Sequence, residues 1–165
     1  MKIVIVSDSH GRDILNDIMF WENDADLFIH CGDMEDDPEE FPFWVSVRGN
    51  CDYFDTKRMP DSQVLEVAGH RIYIEHGHKL PKHAMERFLA LHAKENHCDI
   101  ALYGHTHEAR NVTKHGIRII NPGSAWKTCN GDPASYAVLN LTPGHMWAQI
   151  KYEPDWPREE EEEDA

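Results

Sequence analysis

Lys2-Ile-Val-Ile-Val6 runs directly into Ser7-Asp8-Ser9-His10. A β-branched apolar run reads as a buried strand. A carboxylate and an imidazole at its end place two metal-ligand donors on a strand-to-loop junction. The pattern recurs. Asp26-Leu-Phe-Ile-His-Cys31 is followed by Gly32-Asp33, and Phe43-Trp-Val-Ser-Val47 by Gly49-Asn50. Arg71-Ile-Tyr-Ile-Glu75 leads to His76-Gly-His78, and Asp99-Ile-Ala-Leu-Tyr103 to Gly104-His105-Thr-His107. One Asp-x-His is common in surface loops; five oxygen-and-nitrogen clusters, each after an apolar run, are not.

Arg12 to Glu22 reads as a helix with Ile14, Leu15, Ile18 and Met19 on one face. Asp26 to His30 is a second strand, 35–42 a loop or short helix, and Phe43 to Val47 a third strand. This alternation implies parallel strands with βαβ crossovers. Ser62 to Val67 and Arg71 to Glu75 form a hairpin around Ala68-Gly69-His70. Leu80 to Asn96 is the longest helical pattern, beginning near Pro81 and turning Ala84, Phe88, Leu91 and Ala93 to the core. Asp99 to Tyr103 is another strand. Ala109 to Lys114, Gly116 to Ile120, Tyr136 to Leu141 and Met146 to Tyr152 then read as antiparallel strands. The sum is an α/β domain with a mixed sheet on one side and a more antiparallel one on the other.

Composition bounds the rest. A chain of 165 residues with a hydrophobic fraction of 41% builds one soluble domain. No apolar stretch approaches the ~20 residues of a membrane span. The start lacks the series of a secretory leader, so a cytoplasmic location is expected, with no membrane contact. The widely spaced Cys31, Cys51, Cys98 and Cys129 then read as reduced thiols. The formal net charge is -14, part of it in Glu159 to Asp164, which reads as a solvated, disordered end. Such a surface argues against broad nucleic-acid binding but admits a small phosphate ester, because bound cations invert the field locally.

In a mostly parallel sheet, ligands gather outside the carboxyl ends of the strands. Asp8, His10, Asp33, Asn50, His76, His105 and His107 all fall there. A lone carboxylate such as Asp33 suits a bridge between two cations ~3.5–4 Å apart.

In the order D-x-H, G-D, G-N-C-D, H-G-H, G-H-T-H, the chain resembles the calcineurin-like metallophosphoesterases. Within them it is most similar to the small single-domain branch of bacterial and archaeal phosphodiesterases. The resemblance spans Met1 to about Tyr152 and includes Asn121-Pro-Gly-Ser124. It implies an α/β fold, a four-layer α/β/β/α sandwich with two mixed β-sheets, over residues 1–152. The acidic segment 153–165 follows as a tail. By position, one metal would be held by Asp8, His10, Asp33 and His107, and the other by Asp33, Asn50, His76 and His105. The implied cofactors are two divalent metal ions, manganese foremost, with iron, zinc, cobalt or nickel also suited to the ligand set. The implied activity is a phosphodiesterase acting on small phosphate esters by attack of a metal-bridging hydroxide. Asp33, Asn50 and His78 stand at its catalytic centre. A homo-oligomer, dimer or tetramer, is the habit of the branch.

Two departures stand out. Cys51 occupies the place where larger members carry a histidine that protonates the leaving group. Ala125-Trp126-Lys127 follows Ser124 where the branch continues toward a Pro-Arg pair, leaving Lys127 as the stand-in. His30 reads as a satisfied interior histidine behind the ligands. His83, His92 and His97 read as surface or capping residues, and His70, His115 and His145 as loop residues. Arg12 reads as a helix-start residue with a phosphate contact as its alternative. The rival reading, a non-catalytic protein-interaction scaffold on the same fold, predicts an altered ligand set, whereas here the set is complete.

Overall fold

Two five-stranded mixed sheets packed face to face organise the chain in the computed structural model, which describes residues 1–53, 59–128 and 130–158. The strands are β1 (Lys2–Val6), β2 (Leu27–His30), β3 (Trp44–Ser46), β4 (Ser62–Val67), β5 (His70–Glu75), β6 (Ile100–Leu102), β7 (Arg110–Lys114), β8 (Ile117–Asn121), β9 (Ser135–Thr142) and β10 (His145–Tyr152). The helices are α1 (Leu15–Trp21) and α2 (Met85–Glu95). One sheet has the order β10-β9-β1-β2-β3 and the other β4-β5-β6-β8-β7. Each contains two parallel and two antiparallel pairings, so neither is the more antiparallel. The final hairpin, β9–β10, returns to the first sheet beside β1, with Ile3 opposite Leu139.

Alternation along the strands explains the layers. In β1, Ile3 and Ile5 face the other sheet while Val4 and Val6 pack on Ile14, Leu15 and Ile18 of the α1 region. In β6, Ile100 and Leu102 enter the inter-sheet core, and Ala101 packs with Leu89, Ala90 and Ala93 of α2. Burial on both faces is why these strands are continuous apolar runs. The result is the four-layer α/β/β/α arrangement, a single domain. No described helix is long and apolar enough to cross a membrane.

Both helices start later than their sequence patterns. Residues before α1 are taken up by a turn in which His10 (φ 46°) and Gly11 (φ 75°) are left-handed. A helix cannot begin there. Before α2, Lys82–Ala84 form a 3-10 turn. With its different pitch, the turn shifts the phase of the buried stripe to Met85, Leu89, Ala90 and Ala93. Leu91, expected in the core, is 48% exposed. Beyond Tyr152, a 3-10 turn at Glu153–Asp155 leads to Trp156, which packs against Trp21 and Tyr136. Cys129 and the acidic run from Glu159 lie outside the described residues.

His70 corrects a sequence expectation. It is the first residue of β5 rather than a loop residue, and it is buried. Its Nδ1 meets Asp99 Oδ2 at 2.6 Å, and its Nε2 reaches the carbonyls of Thr142 at 2.8 Å and His145 at 3.1 Å. Acceptors on both nitrogens require both to carry protons, so the ring ties the two sheets together as an imidazolium. Burial opposes the charge, yet Asp99 and the carbonyls hold the pKa above its ordinary value. A raised pKa gives stability that is complete below the unfolded value of ~6.5 and lost as pH rises through the folded value. The melting-temperature advantage of the natural chain over His70→Gln, both metal-saturated, should therefore shrink as pH rises from about 6 to 8. An advantage independent of pH would contradict the assignment.

Candidate metal centre

The rim forms where the parallel strands stop. Nine described non-glycine residues have positive φ, and five of them are Asp8, His10, Asp33, His105 and His107. Left-handed backbone costs of order 1–3 kcal/mol at such residues and persists only where the surroundings enforce it. Here cross-loop bonds enforce it. Asp8 N–H donates to the Gly32 carbonyl at 2.9 Å, His10 N–H to that of Asp33 at 3.0 Å, and Gly104 N–H to that of His76 at 3.1 Å. Two glycines allow the close approach. A Cβ on Gly104 would stand 1.9 Å from Ser7 Oγ, and one on Gly49 would stand 2.1 Å from Asp33 Oδ1.

The side chains are aimed by their outer partners. His76 Nδ1 donates to the Cys31 carbonyl at 2.7 Å, His107 Nδ1 to the Lys127 carbonyl at 3.1 Å, and His10 Nδ1 to Glu35 Oε1 at 3.0 Å. In each neutral ring the lone pair is then on Nε2 and points inward. The Nε2 atoms of His10 and His107 lie 3.3 Å apart, two lone pairs facing each other. His76 Nε2 is buried without a hydrogen-bond partner, 3.2 Å from Asp33 Oδ2. Asp8 is fully buried. Its Oδ2 accepts from Ser7 Oγ at 2.6 Å and from His105 N–H at 3.0 Å, while its Oδ1 has no partner. A buried carboxylate oxygen and converging imidazole lone pairs, all unpartnered, are what a divalent cation satisfies. The donor set fits a metal.

Electrostatics agree. His107 is pushed up by Asp8; His76 is pushed up by Asp33 and Asp8 although burial opposes it. Against burial, the neighbouring imidazoles hold the Asp8 and Asp33 carboxyls below the usual range. The two carboxylates call for positive charge between the loops. His105 and His78 are pushed down by burial and by His76.

Among the described residues, donor atoms within 4.8 Å of one another form three groups: Asp8, His10 and His107; Asp8, Asp33 and His76; and His10, Asp33 and Cys51. Asp33 thus reaches both neighbourhoods, and Asp8 does so as well. His105 stands beside them, its ring 5.3 Å from that of His76. Asn50 is exposed at the outer edge, its amide donating to Cys51 Sγ at 3.5 Å. His78 lies 5.4 Å from His76 ring to ring, with Nδ1 buried and unpartnered. Lys127 contributes its carbonyl to His107, while its ammonium lies over Trp126 at 4.2 Å. Arg12 is bound to the Ala125 carbonyl and paired with Glu153 at 2.7 Å, turned away from phosphate binding. His30 accepts from Gly32 N–H through Nδ1, so its Nε2 donates to Ser9 Oγ at 2.9 Å. Burial pushes its pKa down to about 4. It is an interior histidine behind the ligands, not a base for Ser9.

Sequence reasoning missed Asp52. Buried at 2% exposure, it accepts Asp33 N–H at 2.8 Å, Gly49 N–H at 2.7 Å and Glu35 N–H at 3.0 Å. One carboxylate thereby fixes the loop that carries Asp33; the adjacent Gly-Asn-Cys-Asp spelling was the available signal. Asp52→Ala should cost about 3 kcal/mol of stability through three orphaned donors, read by urea unfolding, and weaken metal binding at least about tenfold. Unchanged stability and affinity would contradict this role.

The model of the calcineurin-like phosphoesterase superfamily domain matches residues 1–144. YsnB, a probable metallophosphoesterase of Bacillus subtilis strain 168, is 34% identical over 149 residues, covering 86% of this chain and 85% of its own. Phosphodiesterase YfcE of Escherichia coli K12 is 34% identical over 103 residues, 58% of this chain and 52% of its own. The crystal structure of a conserved uncharacterized protein of Streptococcus pneumoniae TIGR4, a predicted phosphoesterase, matches with a TM-score of 0.83 at 25% identity. That match covers 93% of this chain and 90% of the other.

Proposed function

The chain belongs to the calcineurin-like phosphoesterase superfamily, and from that premise we propose that it is a divalent-metal-dependent phosphodiesterase of small phosphate esters. One observation carries the reading. Asp8 Oδ1 and His76 Nε2 are buried, unpartnered and 3.8 Å apart, beside the facing Nε2 atoms of His10 and His107. Bound cations would give all of these atoms a partner at once, which is what supports the reading.

Asp8, His10, Asp33 and His107 would hold one ion, and Asp33, Asn50, His76 and His105 the other, with Asn50 turning its amide from Cys51. Ions held there would lower the pKa of a bound water and neutralise charge on the phosphoryl oxygens. The chain's own groups do the positioning. The Cys31 and Lys127 carbonyls and Glu35 keep three imidazoles in the ligating tautomer, and Ser7 fixes the Asp8 carboxylate. No protein nucleophile is called for. The hydroxyls of Ser7 and Ser124 donate to Asp8, and that of Ser9 is held by His30. His78, half-buried beside His76, would contact the substrate through its exposed ring edge and not through the buried Nδ1. No strong acid waits for the leaving group: burial, Asp33 and Glu35 push the Cys51 thiol up to about 11.

The test uses aryl phosphodiesters of graded leaving-group pKa, with p-nitrophenyl phosphate as the monoester. Diesters should be turned over faster than the monoester, and log rate should fall steeply as the leaving group becomes more basic. A flat dependence would reveal a general acid and contradict the assignment of Cys51. A monoester preference would replace the diesterase reading.

A further inference from the structure

A groove of about 810 Å3 opens at Thr106, between His105 and His107, and runs between α2 and β7. Its walls carry Lys82, His83 and Arg87 on one side and Arg110, Lys114 and His115 on the other, against the carboxylates of Glu86 and Glu108. The whole chain holds 30 acidic and 16 basic side chains. Four Lys and Arg residues against two Glu therefore give this groove a local excess of positive charge on an otherwise acidic chain. Glu86 receives Arg110 Nε at 2.7 Å and Lys114 Nζ at 2.5 Å, with the Tyr103 hydroxyl at 3.4 Å, and so fixes both cations along the floor. Lys82 and Arg87 meet no carboxylate among the described residues; the Arg87 guanidinium lies over Phe88. These two charges are available to a ligand.

The groove has a direction. Arg110 pairs with Asn121, whose amide holds Thr106 Oγ1 at 3.0 Å, so this end of β7 lies at the metal rim. Lys114 lies four residues further on, roughly 13 Å along the strand. A ligand that places its reacting phosphorus at the rim thus runs its remaining chain past fixed and free cations.

We propose that this groove binds further phosphates of the substrate, and that the natural substrate is a phosphodiester with a short chain of additional phosphates on its non-leaving side. This rests on the phosphodiesterase reading above. A short single-stranded oligonucleotide and a nucleoside polyphosphate share that chemistry. A long duplex does not fit, because the acidic surface beyond the groove repels it.

The test compares KM for three p-nitrophenyl esters on manganese-loaded protein: those of thymidine 3′-phosphate, of trithymidylate 3′-phosphate, and of the terminal phosphate of adenosine triphosphate. The trithymidylate ester should show a KM about tenfold below that of the single nucleotide, as two unpaired cations allow. The advantage should shrink with added salt and vanish in Lys82→Ala/Arg87→Ala, whose fold is checked by thermal melting. An advantage confined to the triphosphate ester assigns the groove to polyphosphate chains instead. Equal KM values for all three esters overturn the proposal. Absence of any turnover would strike the phosphodiesterase reading, and binding of fluorescein-labelled trithymidylate then reads the groove directly. Salt-sensitive binding lost in the double variant supports it; equal binding by the variant overturns it.

Discussion

Asp33→Asn is expected to lower the turnover of bis(p-nitrophenyl) phosphate at least about a thousandfold while the protein remains folded. Asparagine has the shape of aspartate, and its carbonyl can still accept the Cys51 N–H now held at 2.8 Å by Oδ1. The other position is where the damage lies. Asp33 Oδ2 sits 3.2 Å from His76 Nε2, and an NH2 group there donates into the lone pair reserved for metal. The substitution therefore removes a charge and caps a neighbouring ligand at once. Unfolding in urea should be unchanged or slightly more difficult without metal. Retention of half the activity would remove Asp33 from the centre of the site.

Metal should also stabilise the fold. Metal-stripped protein keeps a buried carboxylate oxygen and facing lone pairs uncompensated. Manganese at a thousandfold excess over Kd should add about 4 kcal/mol for each ion bound, equivalent to about 10 °C in Tm per ion for a chain of this size. The shift should grow between pH 6 and 8. Asp8 and Asp33 raise the proton affinity of His76 and His107, so protons compete with metal at the lower pH. Asp8→Asn should abolish most of the shift. A Tm indifferent to every divalent ion would exclude a site of this kind.

How much of this was legible follows from what side-chain pattern encodes. Lys2 to Val6 and Asp99 to Tyr103 announced strands buried on both faces because doubly covered strands are apolar throughout. The ligands were legible because each sits where such a run ends. Backbone conformation was not. Nothing in the spelling of His10 or His105 reveals left-handed φ, although both adopt it and the turn at His10 and Gly11 delays α1. The core face of α2 is ambiguous in sequence because Phe88 and Leu91 form a second apolar stripe beside the buried Met85, Leu89, Ala90 and Ala93. His70 reads as a loop residue in sequence because its partners, Asp99, Thr142 and His145, lie far along the chain. Asp52 stayed unassigned since its three partners are backbone amides, which carry no residue signature.

Manganese titrated into metal-stripped protein, with bound metal and diester turnover measured on the same samples, tests the two-ion site itself. Activity should be absent at zero and climb to a plateau at two ions per chain. Turnover independent of bound metal, or full activity at one ion per chain, would contradict it.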